Sequence, residues 1–199
     1  MTVTADDLDS VISCVMSGLL PITDRDWSVP AGTLEWDCWH TAEHIGDCLL
    51  SYAWQLAVQP TGRYVRAVAT AEKDASPAEV LEFAVTGGRV LASMVRTSRA
   101  HVRAYHPAGM ADPEGFAGMG CHEALLHGND IARASASASI RPATCAAASW
   151  PGSSRRRPPT WPNRTRGPPC YGRAAASSSP GTPSGQAGAP TPPPDQLTN

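Results

Sequence analysis

The chain has six cysteines but no Cys-x-x-Cys pair, which removes the commonest sequence signature of a structural zinc site or a dithiol redox centre. Its N-terminus carries no basic segment followed by an apolar run, and no stretch approaches the roughly eighteen consecutive apolar residues of a membrane span. Acidic residues disappear between Asp130 and Asp195, and no histidine follows His127. These absences predict a protein without a membrane segment or leader. Cys14, Cys38, Cys48 and Cys121 fall inside helical patterns, and Cys145 and Cys170 in low-complexity sequence, so reduced thiols and a cytoplasmic location are expected.

What is present divides the 199 residues into two chemically different parts. Up to Ala134 there are nine Lys and Arg against seventeen Asp and Glu, a net charge of −8; the remainder carries seven Arg against the lone Asp195, a net of +6. Hydrophobic residues make up 42% of the chain, enough to bury a core in the first part. The second part, residues 135–199, is dominated by Pro, Ala, Ser, Gly and Arg, a composition that cannot bury a core and predicts a disordered tail. Its arginines are few and lack regular aromatic interleaving, which argues against nucleic-acid binding. It reads as GC-rich coding sequence translated out of frame after a frameshift near Ala134.

Periodicity predicts four helices in residues 1–134. Leu8, Val11, Ile12, Val15 and Leu19 recur at three- and four-residue steps behind a Thr4 cap with Asp7 three residues on, and Pro21 stops this first helix. A loop with Trp27 as its packing anchor leads to Asp37, which can cap a second helix running to about Val58 with a stripe of Ile45, Leu49, Ala53 and Leu56. Residues 60–73 read as an ordered connection containing a short helical turn. Ser76-Pro77-Ala78-Glu79 combines an N-cap, a first-turn proline and a capping-box glutamate, and starts a third helix to about Arg99 with Leu81, Val85, Leu91 and Val95 inward. Gly87 and Gly88 within it imply close approach of another backbone or a bend. Arg89, Arg96, Arg99 and Arg103 point in mixed directions, as on a solvated surface. Residues 106–111 read as a loop, and Asp112-Pro113 opens the fourth helix with Phe116, Glu123, His127 and Ile131. The predicted architecture is an all-α four-helix bundle.

The chemistry concentrates in residues 118–132, GMGCHEALLHGNDIA. Glu123 and His127 are four apart, so a helix stacks the carboxylate and imidazole on one face, a metal-ligand spacing that equally suits a surface pair or a capped helix end. His122 and His127 are five apart, roughly 140° around a helix, which excludes the His-Glu-x-x-His geometry of zinc proteases. His44 lies beside the apolar stripe of the second helix, as a core residue or as a third ligand facing Glu123 and His127; His40, one turn earlier, has the same ambiguity. Both His44 and His127 are followed three residues later by an aspartate, Asp47 and Asp130. Each aspartate could orient its imidazole or simply be a helix-surface charge.

With Trp36, Glu43-His44-Ile45-Gly46-Asp47 and Glu123-Ala-Leu-Leu-His127-Gly-Asn-Asp130 in hand, residues 4–134 resemble the metal-binding N-terminal domain of mycothiol-dependent maleylpyruvate isomerases, in the DinB-like superfamily. That resemblance implies a divalent metal, usually zinc, held by His44, Glu123 and His127, and a low-molecular-weight thiol, mycothiol, as co-reactant. It implies an isomerase, in which the thiolate adds to a cis double bond and leaves after rotation, or an S-transferase acting on a small electrophile. The alternative is a metal-binding bundle without turnover, because the family's second domain, with its basic substrate-binding residues, has no counterpart in residues 135–199.

Overall fold

The computed structural model describes residues 2–134; the expectations for residues 135–199 lie outside it. The described part is mostly helical, with α1 at Ala5–Leu19, α2 at Cys38–Val58, α3 at Pro77–Thr97 and α4 at Pro113–Ala134. Local chemistry sets the helix starts. Thr4 accepts the Asp7 N–H while the Asp7 carboxylate takes the Thr4 N–H at 2.9 Å, and Ser76 and Glu79 do the same for α3, so each pair satisfies two otherwise orphaned donors. Asp37 caps α2 by accepting the His40 N–H at 2.7 Å, and Asp112 accepts the Gly115 N–H at the start of α4. Pro21 does not end the first helical segment at once, since a 3-10 turn, Leu20–Ile22, continues it.

The stripes meet in one apolar core that includes Leu8, Ile12, Val15, Leu19, Ile45, Leu49, Leu56, Leu81, Leu91, Phe116 and Ile131. On α3 Leu81 and Leu91 are buried as expected, Val80 and Ala84 share that face, and Val85 and Val95 are only partly covered. Gly87 is explained by proximity: a Cβ there would stand 2.8 Å from the Gly46 carbonyl oxygen of α2. A Cβ on Gly120 of α4 would likewise meet Leu91, Leu49 and Leu8. Trp27 anchors its loop as expected, buried and donating its indole N–H to the Ile22 carbonyl at 2.9 Å.

The connection between α2 and α3 is ordered without forming a helical turn. Buried Gln55 accepts the Val65 N–H, Asp47 accepts the Ala69 N–H at 2.9 Å, and Trp39 donates to the Ala75 carbonyl at 2.7 Å, so α2 itself fastens the segment. Residues 104–111 depart from the loop expectation. Ala104–His106 (β1) and Gly109–Ala111 (β2) pair antiparallel, with Tyr105 opposite Met110, and Tyr105 donates its N–H to Pro60 O at 2.7 Å. Among the described residues no helix is long and apolar enough to cross a membrane.

Candidate metal centre

α2 and α4 face each other with His44, Tyr52, Glu123 and His127 between them. Glu123 Oε2 lies 3.4 Å from His127 Nε2 and 3.9 Å from His44 Nε2, so one carboxylate oxygen is shared by two imidazoles from different helices. The two rings stand 5.0 Å apart between centroids, nearly perpendicular. All three side chains are largely removed from solvent, at 9% exposure for His127, 12% for His44 and 18% for Glu123. His44 is further held by Trp36, whose ring lies 4.8 Å away.

Other histidines lie elsewhere. His122 is exposed, and His40 pairs with its own helix cap, Asp37, at 2.8 Å. The two aspartates three residues beyond His44 and His127 occupy different surroundings. Asp130 Oδ2 is 3.5 Å from His127 Nδ1, whereas Asp47 takes the backbone N–H of Ala69. His127 Nδ1 is buried and makes no hydrogen bond of good geometry, Asp130 standing just too far off. The loop before α2 bears on Asp130 as well: Gly32, at φ +59°, is placed so that a Cβ would fall 3.2 Å from Asp130 Oδ1.

The electrostatics follow from burial and adjacency. Burial and the charge of His127 hold the His44 imidazole down to about 4, Glu123 offsetting only part of this, so His44 is neutral and keeps a lone pair free. For His127 burial acts in the same direction but is outweighed by Asp130 and Glu123, which push it up to about 9. Burial also opposes ionisation of Glu123, yet His127, His44 and the Tyr52 hydroxyl together keep its carboxyl below the usual range. These shifts favour a neutral His44 beside a charged His127 and Glu123.

Sequence reasoning did not single out Tyr52, whose hydroxyl donates to Glu123 Oε1 at 3.1 Å. Its position eight residues after His44 on α2, on the same side of the helix, is the signal that could have found it. His106 of the hairpin and Phe116 pack near the Tyr52 ring, at 6.1 and 5.8 Å between centroids. Cys48, one turn after His44, was also unremarked as a site residue. His44, Cys48 and Glu123 each place a donor atom within 4.8 Å of the others, a group that could hold a metal ion. Cys48 and Cys14 are disulfide-bonded in this structure, against the expectation of reduced thiols, while Cys38 and Cys121 are free and buried. A disulfide sulfur is not a thiolate, so the strong donors at the centre are the two imidazoles and the carboxylate.

These donors suit a divalent ion. Nitrogen and oxygen ligands about 2.0–2.2 Å from zinc stand a little over 3 Å from one another; around Glu123 Oε2 the two imidazole nitrogens stand at 3.4 and 3.9 Å. The buried Nδ1 of His127 has Asp130 Oδ2 as its carboxylate neighbour, at 3.5 Å. Comparison with protein-family models, with curated proteins and with solved structures finds no match to this chain.

Proposed function

We propose that residues 2–134 form a four-helix bundle that binds one divalent metal through His44, Glu123 and His127, and that its ancestral activity is a thiol-dependent isomerisation or S-transfer of the mycothiol-dependent maleylpyruvate isomerase kind. The observation that carries the reading is the convergence of two Nε2 atoms, from residues far apart in sequence, on one oxygen of Glu123. The resemblance in Trp36, residues 43–47 and residues 123–130 supplies the reaction class.

Each residue has a task in this reading. His44 presents a neutral imidazole, Glu123 a carboxylate, and His127 a second imidazole once its proton has left, with Asp130 placed to hold Nδ1–H. Zinc fits the donor set, as do other divalent ions of similar preference. A divalent ion bound there would supply the positive charge that keeps a small thiol deprotonated at neutral pH. Trp36 flanks His44, and Tyr52, which contacts Glu123, is backed by the Phe116 and His106 rings, so the polar centre has aromatic neighbours.

Metal content of the purified full chain tests the proposal. One equivalent of zinc that disappears in His127→Ala is expected; metal-free protein under zinc-replete expression leaves a plain helical domain whose His and Glu are ordinary core and boundary residues. Turnover of maleylpyruvate with mycothiol separates the enzyme from the second reading, a metal-binding bundle without turnover. That reading draws on the absence of any histidine after His127 and of any acid between Asp130 and Asp195.

A further inference from the structure

The two oxygens of Glu123 are used differently. Oε2 faces His44 Nε2 and His127 Nε2, whereas Oε1 accepts the Tyr52 hydroxyl at 3.1 Å. Tyr52 has little freedom to release it: the residue is 3% exposed, with its ring against Phe116 and near His106. A carboxylate can ligate a divalent ion through one oxygen or both, and the choice changes the number of positions left for other ligands. Resting on the metal site proposed above, we infer that Tyr52 is a positioning residue that keeps Glu123 a one-oxygen ligand. By occupying Oε1 it directs Oε2 alone to the ion and reserves a coordination position for an incoming small-molecule ligand such as a thiol.

The inference differs from a purely structural account, in which the hydroxyl merely finds a buried partner. On that account removing it would affect folding but not how the carboxylate binds. The test is the full chain loaded with Co2+, comparing wild type with Tyr52→Phe. Wild type is expected to show the intense visible absorption of a low-coordinate ion, and Tyr52→Phe a several-fold weaker band as the second oxygen joins, with zinc affinity lowered about 10- to 100-fold. An unchanged spectrum and affinity in the variant would overturn the role of Tyr52 while leaving the site standing. Failure of the wild-type chain to take up either ion removes the site itself and this inference with it. Should Tyr52→Phe not fold, infrared difference spectra of the wild type with and without zinc decide the matter. A wide separation of the carboxylate stretches supports one-oxygen ligation, and a narrow one overturns it.

Discussion

α2 meets α3 and α4 in two different ways. Toward α3 it offers Gly46, whose missing side chain makes room for the Phe83 ring, while a side chain at Gly87 of α3 would run into the Gly46 carbonyl oxygen. Toward α4 it offers His44 and Tyr52, whose side chains reach across to Glu123. The first seam is apolar and filled by backbone and the Phe83 ring; the second is occupied by large polar groups that must satisfy one another away from water. Buried ionisable groups are expensive unless paired, and here each is paired by a group from the opposite helix or the next turn. Capacity for chemistry therefore lies at the seam that polar side chains occupy.

The largest expected effect breaks the first seam. Gly46→Val drives a side chain into the Phe83 ring and should destabilise the domain by about 1–3 kcal/mol, read as a lower urea midpoint, whereas Glu123→Gln should keep the fold and lose metal. A smaller effect sharpens the second seam through pH. The His127 value, raised to about 9, contributes stability that is complete below the ordinary imidazole value of 6.5 and lost as pH climbs through 9. The His44 value, lowered to about 4, works in the opposite sense, its contribution being present above 6.5 and lost as pH falls through 4. Metal-free protein should then melt highest near pH 6.5 and lower on either side. Zinc binding should displace a proton from His127 and remove the alkaline decline. A flat melting profile for the metal-free chain would contradict the charge assignment. The smallest effects fall outside both seams. Asp37→Ala removes the α2 cap and should lower stability by about 1 kcal/mol, while His40→Ala should change it by less than about 0.5 kcal/mol, neither altering zinc stoichiometry.

How much of this could be read from sequence depended on range. The caps Thr4, Asp37 and Ser76 are local devices, complete within four residues, and they mark the helix starts directly. The α2 stripe is equally local. On α3 the spacing placed Leu81 and Leu91 inward, where they are buried, but hydrophobicity alone could not separate the fully buried Val80 from the partly covered Val85 and Val95. Two strands of three residues each are too short to show alternation, so the hairpin carrying His106 was invisible. At the centre, the helical spacing of Glu123 and His127 was plain, but the meeting with His44 spans two helices and rested on the packing expected of a bundle and on resemblance. The matching three-residue offsets of Asp47 and Asp130 could not distinguish an aspartate beside His127 from one that takes the Ala69 N–H. Tyr52 was missed because a tyrosine on an apolar stripe looks like core until its hydroxyl is traced to a partner.

Gly32 gives the loop before α2 a mechanical part in the centre. Its positive φ and its missing side chain leave this turn room to pass the carboxylate beside His127, since a Cβ there would fall 3.2 Å from Asp130 Oδ1. Transplanting the centre into another scaffold therefore requires that whatever passes Asp130 in place of this turn brings no side chain against it.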